Sequence, residues 1–191
     1  MNAPRPVRKP EDLRAAARYV SYEIEMMIFS GKGLGGWYAS PRTTPPDNYK
    51  NMALESFLLH FRNLRAFLCP TLQALSSDDI IASDFLDPPT LRDLGDTSAL
   101  SIDKTRLDRM LDHLSYSRRA YIAGGDHGWK VASMLVLMLG QIKNFLSGLP
   151  EAKRPWFPPE APITEHIRNL SGVLDSGFED HSGIIHGGPE A

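Results

Sequence analysis

Apolar residues recur at helical spacing in several long segments of this chain, and segments rich in glycine and proline separate them. One apolar residue every three or four positions gives a helix a continuous apolar face. No segment shows the strict alternation of apolar and polar residues that is typical of a half-buried strand. The sequence therefore predicts an all-α fold, a helical bundle of four to five helices with an irregular Pro-rich C-terminal extension.

Glycine, proline and capping residues set the predicted helix boundaries. We expect main helices at about residues 11–30, 49–68, 101–121 and 129–146, and the last of these, apolar nearly all round, should be the most buried. A short helical segment is expected at 78–85 with Ser77 as its N-cap, and a weak helix at 164–174. The segment from Gly31 to Asn48 is predicted to be a long loop. We therefore predict a bundle domain at 1–149 and a C-terminal extension at 150–191 with at most one short helix.

Composition places the chain among ordinary globular proteins. It has 191 residues, 42% of them hydrophobic, and a net charge of −2, which argues against a polybasic nucleic-acid or membrane binder. No apolar run approaches the ~20 residues that span a bilayer, and no apolar segment follows the N-terminal positive charges as in a secretory signal. The single cysteine, Cys69, permits no intrachain disulfide. We expect a cytoplasmic protein without membrane association.

Three motifs that suggest cofactors or catalysis do not have the context they require. The glycines from Gly31 to Gly36 match G-x-G-x-x-G, but a predicted helix precedes them where a dinucleotide site needs a strand. Cys69 has no histidine beside it in the sequence to act as a base, so a structural thiol is expected. The histidines lack the usual zinc-ligand spacing, although His60, His113 and His127 could converge in a bundle. We predict no metal and no cofactor.

The second predicted helix combines polar side chains with a dense apolar pattern. Four residues of one stripe follow one another at helical spacing: Ser56, His60, Asn63 and Phe67. Polar groups beside a core face need partners, because an unpaired buried polar group is costly. One interpretation is an internal polar network that fixes helix packing. The other is a binding groove lined by Glu55, His60 and Arg62.

The helix predicted at 101–121 carries a second polar stripe, which includes Arg106, Arg109, His113 and Tyr116. Arg106 and His113 are seven residues apart, two turns along one face. An arginine can hold a phosphate while a nearby histidine transfers a proton, which is the chemistry that RNA cleavage requires. Ion pairs of the arginines with Asp103, Asp112 or Glu55, and a packing role for His113, explain the same residues.

These helices resemble a group of uncharacterised bacterial all-α proteins with a central helix of the form E-S-F-L-x-H-x-R-x-L-x-x-F. The resemblance covers roughly residues 49–147. It rests on three sets of residues: Glu55, Ser56, Phe57, Leu58, His60, Arg62, Leu64 and Phe67; Asp78, Asp79 and Asp84; and Leu111, His113, Leu114, Tyr116 and Arg118.

More distantly, the chain is similar to HEPN-domain proteins, helical bundles that are often dimeric and include RNases of toxin–antitoxin and phage-defence systems. Arg106 and His113 match the widest spacing of their catalytic motif. This similarity implies a metal-independent endoribonuclease or a degenerate relative, with RNA as partner and a homodimer as the assembly. Arg106 and His113 are then the catalytic candidates, and Glu55, His60, Arg62, Arg109 and Tyr116 the binding candidates. The alternative is a non-enzymatic helical module that contacts a protein partner.

Overall fold

The computed structural model describes residues 6–39, 46–72, 75–87, 94, 100, 107 and 129–175. Four α-helices lie within these residues, and none of the residues is in a strand. We number them α1 (Pro10–Ala39), α2 (Asp47–Leu68), α3 (Val131–Ser147) and α4 (Glu160–Asp175). The all-α fold class and the packing of helices as in a bundle are thus confirmed.

The pair α1 and α2 forms one side of the bundle. On α1 the residues that face the core are buried and follow each other at intervals of three or four: Leu13, Ala17, Val20, Ile24, Met27, Gly31 and Leu34. Glu23 of α1 contacts His60 of α2, whereas Gly31 lies close to Phe57, so the two helices run antiparallel. The predicted second helix is confirmed within two residues, because its apolar stripe and Pro70 mark its extent locally.

Helix α1 does not end near Ser30, and the prediction of a loop from Gly31 onwards was wrong at least as far as Ala39. A Cβ atom on Gly31 would lie 2.9 Å from Leu135 Cδ2 and 3.2 Å from Phe57 Cδ2. The glycine therefore marks a close approach of α1 to α2 and α3 and does not stop the helix. Tertiary packing outweighs the low helix propensity of glycine here.

Helix α3 occupies a central position because it contacts α1, α2 and α4. Its buried residues form one face: Val131, Met134, Leu135, Met138, Leu139, Ile142, Phe145 and Leu146. This agrees with the expected central helix, although Leu137 on its other side is exposed. Within the described parts of the chain, no helix is long and apolar enough to cross a membrane.

Residues after 149 contribute to the same core. Turns and a short 3₁₀ helix (Arg154–Trp156) lead from α3 to α4, which is longer than the predicted 164–174 and begins in the Pro-rich segment. Pro162 is tolerated because it lies in the first turn of α4. Phe157 and Ile163 are buried in the core that α1, α2 and α3 form, and the Phe157 ring packs 5.2 Å from the Phe145 ring.

The segment after α2 is less helical than predicted. Its described residues include two short 3₁₀ helices, Pro70–Leu72 and Ala82–Phe85. The N-cap residue of the second one is Ile81, which donates its backbone N–H to the Asp84 carboxylate. Ser77 is therefore not the N-cap. Of the helix predicted at 101–121, only Leu107 is described; it is helical and buried.

Candidate functional site

A polar network lies between α1 and α2. The Glu23 carboxylate places one oxygen 2.7 Å from His60 Nδ1, and the same oxygen accepts a hydrogen bond from Asn63 Nδ2 at 3.1 Å. His60 is only 6% exposed, although it carries two ring nitrogens that need partners. A carboxylate oxygen can only accept, so this contact assigns the ring proton to Nδ1. The network satisfies polar groups that burial would otherwise destabilise.

Packing of the two helices positions this network. His60 and Asn63 are three residues apart on α2, and both side chains point toward α1, where Glu23 lies beside the buried Ile24. The Tyr22 ring stands edge-on to the His60 ring, with centroids 5.7 Å apart and planes at 83°. Such contacts between two helices are what the helix-packing interpretation of these polar residues expects. They hold the imidazole ring in one orientation, and they favour one register of α1 against α2.

Glu55 and Arg62, which the groove interpretation grouped with His60, lie elsewhere on α2. Glu55 is exposed and Arg62 half-buried, and both take part in interactions with the rest of the chain. At 3.6 residues per turn, each lies about 140–160° around the helix from His60. The structure thus brings His60 together with Glu23 and Asn63, and places Glu55 and Arg62 on the opposite side of α2.

The remaining predicted site residues lie outside the described part of the chain: Arg106, Arg109, His113 and Tyr116. Their catalytic and binding roles stay predictions. His113 and His127, which the metal hypothesis combined with His60, are also outside it. Among the residues that are described, no three His, Cys, Asp or Glu side chains are grouped so that they could hold a metal ion.

The outer side of α1 carries a second apolar stripe, which we call the outward face: Ala15, Tyr19, Tyr22, Met26, Phe29 and Gly33. Tyr19 is 67% exposed, Tyr22 51% and Phe29 74%. On α2, Met52 and Leu59 are exposed as well. Tyr22 of the outward face packs edge-on against the ring of His60 on α2.

A separate contact joins α1 to α4. Lys32 Nζ lies 3.3 Å from His166 Nε2. Burial and, to a smaller degree, the Lys32 ammonium lower the pKa of His166 below its usual range. The ring is therefore neutral at pH 7, and its unprotonated Nε2 accepts a hydrogen bond from Lys32. Cys69, at the end of α2, is fully buried, as expected of a structural thiol.

Sequence reasoning missed Glu23 and the outward face. Glu23 precedes Ile24 at the edge of the core stripe of α1, and a carboxylate in that position is the signal that was available. Nothing local pairs it with His60, which is 37 residues away. The outward face was readable as a second set of apolar residues at intervals of three and four along α1.

The chain was compared with models of protein families, with curated proteins and with solved structures, and no match was found in any of the three.

Proposed function

We propose that this protein is a non-enzymatic helical module that binds protein partners through the outward face of α1. The observation that carries the proposal is the exposure of Tyr19, Tyr22 and Phe29 along one side of a single helix. A soluble chain rarely leaves large apolar side chains contiguous in water unless the surface takes part in binding. Tyrosine, phenylalanine and methionine are also the residue types enriched at protein interfaces.

The size of the exposed surface supports this function. An aromatic side chain has about 150–250 Å² of surface, so the three rings together expose roughly 400 Å² at the fractions given above. That area lies within the ~300–600 Å² of the largest apolar patch on a typical monomer, which is often functional.

The buried network supports a binding surface rather than a reactive centre. The Tyr22 ring packs against the His60 ring. His60 Nδ1 and the Asn63 amide both hydrogen-bond to the carboxylate of Glu23 in the same chain. A side chain held in one orientation by such contacts also fixes the position of the residues that pack against it. A preorganised binding surface requires residues that are fixed in this way. Tyr22 of the outward face rests directly on this support.

Partner capture tests the binding function. We expect the immobilised wild-type chain to retain specific proteins from an extract of its own cells, identified by mass spectrometry. Phe29→Glu should lose them, because it places a charge at the most exposed aromatic residue of the stripe. Leu137→Glu, which introduces the same charge at an exposed leucine of α3, is the control and should retain them. Equal retention by all three chains would remove the outward face as the binding surface.

An RNA assay tests the absence of catalysis. The competing hypothesis is a HEPN-like endoribonuclease with Arg106 and His113 as catalytic residues, and it rests on their spacing in the sequence. We expect a mixed RNA pool to stay intact with the purified wild-type chain in the absence of added metal. Arg106→Ala and His113→Ala serve as matched controls. Cleavage by the wild type that both variants abolish would establish the RNase and contradict the function proposed here.

A further inference from the structure

The outward face has the spacing of a helix–helix seam. Its members follow one another at alternating intervals of four and three residues: Ala15, Tyr19, Tyr22, Met26, Phe29 and Gly33. This heptad pattern keeps one stripe of a helix directed at a neighbouring helix over several turns. The core stripe of α1 has the same spacing and packs against α2 and α3, so α1 carries two such seams, of which the described helices cover one.

Charged residues follow one edge of the outward face at intervals of seven: Glu11, Arg18, Glu25 and Lys32. All four are exposed, and their signs alternate along the helix. The last three each directly precede a member of the stripe, the position from which side chains reach across a coiled-coil seam to the other helix. The opposite edge carries Glu23 and Ser30, which face into the chain.

We propose that the outward face binds the same face of a second copy of this chain, with the two α1 helices antiparallel. This proposal rests on the function proposed above and names the partner. If the two-fold axis passes between Ser21 and Tyr22, Arg18 faces Glu25 of the second copy, and Glu11 faces its Lys32. Each of these opposite-charge pairs occurs twice because the interface is two-fold symmetric.

The charge pattern favours this orientation over a parallel one. In a parallel pair each of these edge residues would face the other edge of the second helix, which offers Ala16, Glu23 and Ser30. The Glu23 carboxylate is held by His60 and Asn63 within its own chain. Only the antiparallel arrangement brings both oppositely charged pairs together. Arg18–Glu25 is the principal pair, since Lys32 also contacts His166.

The available area is consistent with a stable dimer. A standard interface covers about 800 Å² of each protein. The three aromatic rings supply roughly half of it, by the estimate of their exposed area given above. The charged edge of Glu11, Arg18, Glu25 and Lys32 lies beside the rings on the same helix and provides further surface.

Sedimentation velocity over a range of protein concentrations, with a charge exchange, tests the proposal. We expect the wild type to form a dimer that weakens with added salt, because the ion pairs at its edge are partly exposed. Arg18→Glu and Glu25→Arg each place two like charges across both symmetric contacts, and each should raise the dissociation constant about tenfold or more. The double variant Arg18→Glu/Glu25→Arg restores opposite charges and should restore the wild-type constant within about threefold.

Thermal melting and a charge control separate loss of the dimer from other effects of the substitutions. All variants alter exposed residues, so thermal melting should show an intact fold in each. Glu165→Arg, at an exposed residue of α4, controls for the change in net charge. A wild type that stays monomeric at every concentration, or a double variant as weak as the single ones, would overturn the antiparallel pairing. A monomer that still captures extract proteins through Phe29 would leave the binding function in place with a different partner. RNA cleavage, in contrast, would overturn the proposed function and leave the dimer to be judged by sedimentation.

Discussion

Replacing Phe145 with alanine is expected to lower the free energy of unfolding by about 3–5 kcal/mol, the usual cost of truncating a buried aromatic residue. Phe145 is 2% exposed, and its ring packs against those of Phe67, Phe85 and Phe157 at centroid distances of 5.1, 6.2 and 5.2 Å. The cavity would therefore open where α2, α3 and the segment before α4 meet. Urea denaturation followed by far-UV circular dichroism measures the loss.

Two companion variants locate the effect. Asn144→Ala changes the neighbouring exposed residue of α3 and should alter stability by no more than about 0.5 kcal/mol. Phe157→Ala removes a ring that lies beyond residue 149, and we expect it to cost about 3 kcal/mol because that ring is buried in the same cluster. A loss below about 1 kcal/mol for Phe157→Ala would mean that the C-terminal extension is not part of the cooperative fold.

Replacing Glu23 with alanine is expected to cost about 1–3 kcal/mol, because it leaves the His60 ring and the Asn63 amide without their acceptor. Glu23→Gln keeps an oxygen acceptor in place and should cost less. Combining Glu23→Ala with His60→Ala in a double-mutant cycle should give a coupling free energy of about 0.5–3 kcal/mol, because the two residues are in direct contact.

The control for this network is Glu165→Ala, which removes an exposed glutamate from α4 and should change stability by about 0.5 kcal/mol or less. Additive effects of Glu23→Ala and His60→Ala would show that the contact between them contributes nothing to stability. The network would then be an incidental feature of the packed helices, and Tyr22 would have no fixed support.

Much of the helical core could be predicted from the sequence. The apolar stripes of α1 and α2 are local patterns with the period of a helix, and Pro70 ends α2 by a local steric effect, so α2 lies within two residues of its prediction. The interpretation of His60 and Asn63 as polar residues that need partners also came from their place in the apolar pattern. Which residue satisfies them could not be predicted this way.

The errors have physical causes that are not local. The glycines after Ser30 were interpreted as a loop from their propensity, but Gly31 allows α1 to approach Phe57 and Leu135, residues that are distant in sequence. Helix α3 is central, as its apolar pattern predicted, but that pattern did not show which side of it stays exposed at Leu137, because this depends on the contacts with α1, α2 and α4. Arg106 and His113 lie outside the described residues, so their roles remain predictions for the RNA assay.

The sequence by itself determined that the chain is helical and which faces of α1 and α2 form the core, because periodicity and helix termination depend on neighbouring residues. Only the tertiary structure decided that α1 continues through its glycines, that Glu23 binds His60 and Asn63, and that the second stripe of α1 stays exposed. Each of these depends on contacts between segments tens of residues apart. Such contacts form, or fail to form, only when the helices have packed.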